Sequence, residues 1–419
     1  MSKLAHNEVI SLILSIGMML IIARLFGEMF RKFRMPLVVG ELIAGVLLGP
    51  SLLGRYYPEI SGIIFSTGTN VSIAMSGITS ISVIMLLFVA GMEVDLSLIR
   101  SQGSTAVKTS FVGLIIPFAL GYFFASNFYN LFGDNNANDV LVFSLFIGTA
   151  MSISALPVIA RTLMDLGIFK TRIGMIIIAA AMFDDLVGWI LFSVVLGMMK
   201  GAVGHNFIFT FGLTILYAAI MLTVGRILIN KAIPWAQKNF SWPGGFLSIS
   251  LGLAFLGAAF TEYIGIHAIF GAFIVGIAFG DSVHLTEKTR EIVQQFVTNI
   301  FAPLFFVSIG FKVNFVNNFN LEITALVLGL AIACKLIGAS LGALWGGLKL
   351  NEALAVGFGM NARGAMEIIL ALLALQAKLI SEQLFVAIVI MAVVTSIMAG
   401  PALALLLKLK PTVLENENK

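Results

Sequence analysis

The 419-residue chain has little of what most soluble functional sites are made from: one cysteine, four histidines and few charges. A lone Cys334 excludes a disulfide framework and a thiolate metal cluster. His6, His205, His267 and His284 are scattered, which argues against a histidine-rich metal site. Asp, Glu, Lys and Arg make up only 11% of the chain, against about 25% in a soluble domain, and no stretch is polar enough to form a soluble domain of its own. The first apolar run lacks a small-residue cleavage site and leads into Arg31, Lys32 and Arg34, so it reads as a retained span rather than a removable signal. The net charge of +4 is not gathered into the basic patch that nucleic-acid binding would need.

What is present is apolar length. The chain is 59% hydrophobic with a mean hydropathy of +1.04. Apolar runs of about 17 to 28 residues, each able to span the hydrocarbon core of a bilayer, recur from end to end. Thirteen begin near residues 8, 36, 71, 105, 140, 172, 207, 243, 266, 298, 321, 352 and 383. The eighth and ninth are divided only around Tyr263 to Ile266, and their fusion would give twelve. The expected fold is an all-α polytopic membrane protein. Eighteen basic residues between Arg24 and Lys419 fall on one side of that topology, against Lys3, Arg55, Lys200, Lys312 and Lys378 on the other. The positive-inside rule then puts the N-terminus outside and the C-terminus in the cytoplasm.

The glycines carry a repeat. VVGELIAGVLLG in span two has Gly40, Gly45 and Gly49; IFGAFIVGIAFG in span nine has Gly271, Gly276 and Gly280 at the same spacing. Span three ends FVAGMEVDL around Gly91 to Asp95, and span ten ends VSIGFKVNF around Gly310 to Asn314. Each pair is seven spans apart, so the copies would cross the membrane in opposite senses. Inverted repeats of this kind mark secondary transporters, whose sites lie at broken helices near the midplane. The equivalent fifth and twelfth spans are therefore expected to be interrupted. Span five, IGTAMSISALPVIARTL, carries Ser152, Ser154 and Pro157 mid-run, and span twelve, VGFGMNARGAMEIIL, carries Gly357, Gly359, Asn361 and Gly364 beside Arg363 and Glu367. The proline removes a backbone donor and frees a carbonyl, which is tolerated where it lines a polar cavity.

Span six holds Asp184 and Asp185 side by side in IGMIIIAAAMFDDLVGWILFSVVLGMM. A carboxylate at bilayer depth costs at least a few kcal/mol, so the pair reads as a site for a proton, a cation or both. Neighbours on a helix point about 100° apart; the two cannot share a proton face to face as the dyad of an aspartic protease does. One can meet an ion while the other meets a different helix. The counter-charge is Lys335, mid-span in LGLAIACKLIGASLGAL. Lys335 is expected to pair with Asp184, leaving Asp185 to bind a monovalent cation. Arg363 and Glu367, four apart, are expected to satisfy each other and to compensate charge at the broken helix. Ser152 and Ser154 could back-bond to their own helix or coordinate the cation. Glu41 and Glu93 lie near span ends, Glu262 and His267 flank a short outer turn, and Lys312 is expected to be solvated.

Seven of these segments, MPLVVGELIAGVLLGPSLLG, LLFVAGMEVDLSLIR, AMSISALPVIARTLMDLG, AAAMFDDLVGWILF, HAIFGAFIVGIAFG, PLFFVSIGFKVNF and MNARGAMEIIL, resemble in this order the second branch of the monovalent cation:proton antiporter superfamily. The resemblance covers nearly the whole chain. It implies thirteen spans with helices five and twelve crossed and unwound, usually as a homodimer. It also implies dimer-domain helices 1–3 in residues 1–100, core helices 4–6 in 101–203 and linker helix 7 in 204–232. Dimer-domain helices 8–10 would then occupy 233–316, core helices 11–13 317–410, and a cytoplasmic tail 411–419. Asp185 would be the ion-binding carboxylate and Asp184 the partner that breaks and remakes a salt bridge with Lys335. Ser152 and Ser154 fall where the family places hydroxyls. Related plant and bacterial exchangers often carry Asn-Asp, whereas Asp-Asp with a lysine matches bacterial electrogenic sodium/proton antiporters. The chain ends at Lys419 with no nucleotide-binding domain after its spans, so gating through one is not expected.

These readings point to a secondary transporter, not an enzyme. It would exchange Na⁺, with K⁺ or Li⁺ as alternatives, for protons by alternating access, with no cofactor and no nucleic-acid partner, from a bacterial cell membrane. The competing reading is a cation channel or gated K⁺ efflux pathway on the same scaffold. A channel would need a continuous pore, and the residues supply one confined acidic site.

Overall fold

The computed structural model describes residues 4–32, 35–65, 69–94, 103–133, 140–199, 207–241 and 243–408. The 411–419 tail, His205, Asp95 and the basic residues Lys3, Arg34, Arg100, Lys200, Lys410 and Lys419 lie outside the described residues. Among those described, every regular element is helical. In a bilayer each backbone N–H and C=O must find a partner within the protein, and an apolar segment meets that demand alone only as a helix.

The α-helices are α1 (His6–Lys32), α2 (Leu37–Leu48), α3 (Leu53–Tyr56), α4 (Pro58–Ile64), α5 (Thr69–Met92), α6 (Gly103–Asn127), α7 (Val140–Ser152), α8 (Leu156–Asp165) and α9 (Arg172–Met199). They continue with α10 (Phe207–Ile220), α11 (Arg226–Asn239), α12 (Gly244–Tyr263), α13 (Ala268–Gly280), α14 (Glu287–Lys312), α15 (Leu321–Trp345), α16 (Leu350–Gly359), α17 (Ala365–Gln376) and α18 (Glu382–Leu406). Among the described residues, eleven helical stretches are long and apolar enough to cross a membrane, and α13 and α17 are shorter apolar helices. At 1.5 Å per residue, the 13 residues of α13 reach only about 20 Å, short of the roughly 30 Å hydrocarbon core. Thirteen is thus an approximate count of crossings. The eighth and ninth runs are separate helices, divided at Gly265, whose φ of +86° lies in the left-handed region that favours glycine.

Helix starts follow side-chain chemistry. Asn320 accepts from the N–H groups of Glu322 at 2.9 Å and Ile323 at 3.1 Å to open α15, and the Ser381 hydroxyl accepts from Leu384 N–H at 3.2 Å to open α18. Both are side-chain caps of otherwise unpartnered first-turn donors. Glu262 accepts from Ala268 N–H at 2.8 Å, and His267 Nδ1 from Ile269 N–H at 3.3 Å, so both residues cap α13.

The chain divides into two compact units: residues 1–95 with 196–319, and residues 96–195 with 320–419. In the first unit the repeated glycines let backbones touch. A Cβ on Gly45 of α2 would lie 2.9 Å from Val307 Cα of α14; a Cβ on Gly91 of α5 would lie 3.0 Å from Gly276 Cα of α13. Gly45 and Gly276 are equivalent positions of the repeat, and Gly91 is equivalent to Gly310. Each copy's second span therefore packs on the other copy's third. The ends of α5 and α13 are further joined by Arg290, whose guanidinium donates to Met92 O and, at 2.7 Å, to Gly280 O. Gln294 donates to Glu93 at 2.8 Å. Lys312, expected in solvent, is half-buried at the end of α14.

Candidate functional site

All residues of the candidate site belong to the second unit, and two interrupted helices organise it. Span five stops at Ser152, passes through Ile153–Ala155 without helical structure and resumes as α8. Pro157 sits in the first turn of α8, where its missing N–H costs no helix bond. Span twelve stops at Gly359 and resumes at Ala365. The breaks are bonded to one another: Ala155 N–H donates to Ala362 O at 2.9 Å, and the Ser154 hydroxyl donates to Met360 O at 2.8 Å.

A helix end buried in the membrane leaves its last four carbonyls needing donors, and α7 places all four. Thr149 O accepts from Ile153 N–H at 3.3 Å and from the Ser152 hydroxyl at 2.8 Å. Ala150 O and Met151 O, the latter at 2.6 Å, accept from the two terminal nitrogens of Arg363. Ser152 O accepts from Lys335 Nζ at 2.5 Å. The partial negative end of α7 is thus held by two cationic side chains. At the opposite kind of end, Glu367 accepts from Gly364 N–H at 2.7 Å and sets its carboxylate at the start of α17.

Arg363 and Glu367 do not form the pair expected from their spacing. An i,i+4 bridge needs a continuous helix, and α17 begins only at Ala365. Arg363 therefore lies in the break and reaches α7, while its own carbonyl accepts from the Ser396 hydroxyl of α18.

Asp184 on α9 is fully buried and takes two donors outright, with a third hydroxyl, that of Ser154, sharing its single proton between Met360 O and the carboxylate. Lys335 Nζ lies 2.5 Å from Oδ2, the Ser110 hydroxyl 2.5 Å from Oδ1, and the Ser154 hydroxyl 3.2 Å from Oδ2. Lys335, also fully buried, completes its three donor positions with Gly113 O at 3.0 Å. Asp185 is 1% exposed, about 100° further round α9. The structure thus brings Asp184, Lys335, Ser152 and Ser154 into one bonded cluster, with Arg363 tied to the same helix end. The Ser152 hydroxyl back-bonds to its own helix, whereas the Ser154 hydroxyl bridges the two breaks and reaches Asp184. Sequence reasoning missed Ser110, the Gly113 carbonyl and Ser396. The sequence did carry a signal for Gly113: Pro117, inside α6, has no N–H to bond the carbonyl four residues earlier, and Ser110, three residues before Gly113, shares its face.

Chemically, the arrangement holds one carboxylate neutralised by an ammonium whose other two bonds go to fixed carbonyls. Lys335 can let go of Asp184 and remain anchored by Ser152 O and Gly113 O. The cost of separating the pair is thereby lowered relative to stranding a bare charge.

Residues 17–409 match the family described as sodium/hydrogen exchanger, transmembrane. The Na⁺/H⁺ antiporter NhaS4 of Synechocystis sp. is 33% identical over 94% of this chain and 97% of its own length. The Na⁺/H⁺-K⁺ antiporter GerN of Bacillus cereus is 29% identical over 93% of this chain and 94% of its own length. Cation/H⁺ antiporter 17 of Arabidopsis thaliana is 30% identical over 93% of this chain but only 47% of its own length; the chain spans about half of that plant relative. Among solved structures, the sodium proton antiporter MjNhaP1 of Methanocaldococcus jannaschii shares the fold, with a TM-score of 0.65, 19% identity, and 96% and 99% of the two chains covered. With its apolar helices, its paired repeats and this match across nearly its full length, the chain is an integral membrane protein of the sodium/hydrogen exchanger family.

Proposed function

We propose that the protein exchanges a monovalent cation for protons across a bacterial cell membrane by alternating access at the Asp184–Asp185 site. Sodium is the favoured substrate, with potassium or lithium as alternatives. The observation that carries this reading is the buried Asp184–Lys335 pair at 2.5 Å, set where two broken helices meet. A transporter site must be able to exchange charge without opening a pore, and a carboxylate that can trade an ammonium for another partner does so. The names of NhaS4 and GerN, which include sodium and potassium, support a monovalent alkali cation.

In the proposed cycle the cation displaces protons at Asp185 on one side of the membrane. The site then turns to the other side, where protons displace the cation. Asp184 breaks its bridge to Lys335 during the exchange and remakes it afterwards. If Lys335 also gives up a proton, two protons move per cation and net charge crosses, driven by about 2.3 kcal/mol per 100 mV. The first unit would serve as the dimer domain of a homodimer and the second as the core that carries the ion. The distribution of basic residues supports an outer N-terminus and a cytoplasmic C-terminus.

The test is proton release from vesicles on adding Na⁺, K⁺ or Li⁺, with Asp185→Asn as the control. Cation-dependent release by the wild type and its loss in Asp185→Asn are the expected results. Full exchange in Asp185→Asn removes the site assignment, and conductance without proton coupling replaces the antiporter by a channel.

A further inference from the structure

Of the buried polar groups in the second unit, Asn361 is placed most like a ligand. It lies in the break between α16 and α17, is completely buried, and neither its side-chain oxygen nor its nitrogen has a hydrogen-bond partner among the described residues. An amide offers up to four hydrogen bonds, and leaving even one buried polar atom without a partner costs about 1–3 kcal/mol. Turning the amide round changes nothing, since both of its ends are bare.

The backbone around it is already committed. Met360 O takes the Ser154 hydroxyl, Ala362 O takes Ala155 N–H, and Arg363 O takes the Ser396 hydroxyl. Asn361 N–H itself donates to Phe358 O at 3.2 Å. The Asn361 side-chain oxygen lies among these taken carbonyls with no donor of its own among the described residues.

The two crossed helix ends also differ in charge. The last carbonyls of α7 are held by Arg363 and Lys335. At the corresponding end of α16, Val356 O, Phe358 O and Gly359 O accept only backbone N–H groups, at 2.9, 3.2 and 3.5 Å. No lysine or arginine bonds to a carbonyl of this end among the described residues. A partial negative helix end without a protein cation, beside a bare amide oxygen, favours a small cation. A single hydroxyl, that of Ser154, connects this end to Asp184, through Met360 O at 2.8 Å and Asp184 Oδ2 at 3.2 Å.

We propose that the Asn361 side-chain oxygen is a ligand of the transported alkali cation, acting with the aspartate pair from the C-terminal end of α16. The inference rests on the antiport reading above and adds to it a ligand from the second broken helix. It gives the α16 end the positive charge that Arg363 and Lys335 give the α7 end, but only while a cation is bound.

The test uses the full chain, wild type and variants, in proteoliposomes and in detergent, with Na⁺, K⁺ and Li⁺ as the probes. Asn361→Ala is expected to raise the half-saturating cation concentration for proton release about tenfold or more, the equivalent of at least ~1.4 kcal/mol. Its melting temperature without cation should be unchanged or higher, since alanine removes a buried amide that has no partners. The rise in melting temperature that cation gives the wild type should shrink or vanish. Asn361→Asp, which keeps an oxygen, should retain that rise and a half-saturation within about threefold of wild type, well under the tenfold step.

The proposal is overturned if Asn361→Ala keeps half-saturation within about twofold for all three cations, a change of less than ~0.5 kcal/mol. It is equally overturned if that variant loses stability without cation while its cation response stays intact. Should the alanine chain not fold, loss of the cation response in folded Asn361→Asp overturns it. Failure of the antiport reading looks different: the wild type itself would show no cation-dependent proton release, or Asp185→Asn would retain it.

Discussion

Replacing Lys335 by methionine, alone and together with Asp184→Asn, separates the energy of the buried pair from the packing of the two side chains. Lys335 Nζ makes three short contacts, to Asp184 Oδ2 at 2.5 Å, Ser152 O at 2.5 Å and Gly113 O at 3.0 Å, and both members of the pair are fully buried. Methionine has a similar length but no donor, so Lys335→Met strips Asp184 of its counter-charge and leaves two carbonyls short of a partner. Breaking one side of a buried ion pair costs about 3–5 kcal/mol. Asp184 keeps the Ser110 and Ser154 hydroxyls at 2.5 and 3.2 Å and can take up a proton, which places the expected loss at the lower end, about 3 kcal/mol. For a unit of about 200 residues, each kcal/mol is worth about 2–4 °C in melting temperature, so the single variant should melt roughly 6–12 °C lower. Asp184→Asn alone strands the ammonium and should lose a similar amount. The double variant contains no buried charge at either position but still leaves the two carbonyls short of a donor, so it should lose about 3 kcal/mol, against roughly 6 if the single losses added, giving a coupling energy of about 3 kcal/mol. The assay is thermal unfolding in detergent, followed in parallel for the four proteins at one pH and salt concentration. Two additive single losses, or a Lys335→Met protein that melts with the wild type, would refute the pairing as a source of stability.

Other consequences follow from the same geometry. Arg363→Lys keeps the charge but loses the planar fork that reaches two carbonyls; one of Ala150 O and Met151 O loses its donor, at about 1–3 kcal/mol, read as a lower melting temperature and faster amide exchange at the end of α7. Ser110→Ala removes a hydrogen bond to a charged group and should cost about 1.5–3 kcal/mol in the same melt. Gly276→Leu forces a side chain into the α13–α5 backbone contact and should cost about 3 kcal/mol or more, whereas Gly252→Leu on α12, where a Cβ would meet open space, should leave the melt unchanged. In proteoliposomes under an imposed potential, the wild type should respond to voltage, and Lys335→Met, lacking one of the two proposed proton carriers, should respond much less.

Much of the fold was legible because the bilayer allows few solutions. Apolar runs have to be helices, so run length and glycine spacing carried most of the topology. The matched glycines did more than mark a repeat: Gly45 and Gly276 are where backbones meet, a constraint that any larger residue would break. What could not be read were contacts that depend on a helix stopping. The Arg363–Glu367 spacing suggested a bridge, and the bridge is absent because helical spacing lapses inside the break. Ser110 was missed for the opposite reason. It sits in an unbroken helix, and only the packing of that helix brings its hydroxyl to Asp184.

The break explains why these charges are tolerated at all. Interrupting two helices side by side creates four helix ends inside hydrocarbon, each with a partial charge and carbonyls or N–H groups in need of partners. Arg363 and Lys335 take the carbonyl end of α7, and Glu367 takes the N–H end of α17. Those three side chains are therefore part of the backbone's hydrogen bonding before they are part of any transport step. Asp184 then balances Lys335, which is already spent on Ser152 O and Gly113 O. The bridge between Asp184 and Lys335 is accordingly the one ionic contact of this cluster that can open while the helix ends stay satisfied. Under the proposed exchange, a cation that took the place of Lys335 beside the carboxylates would leave the bonded helix ends intact.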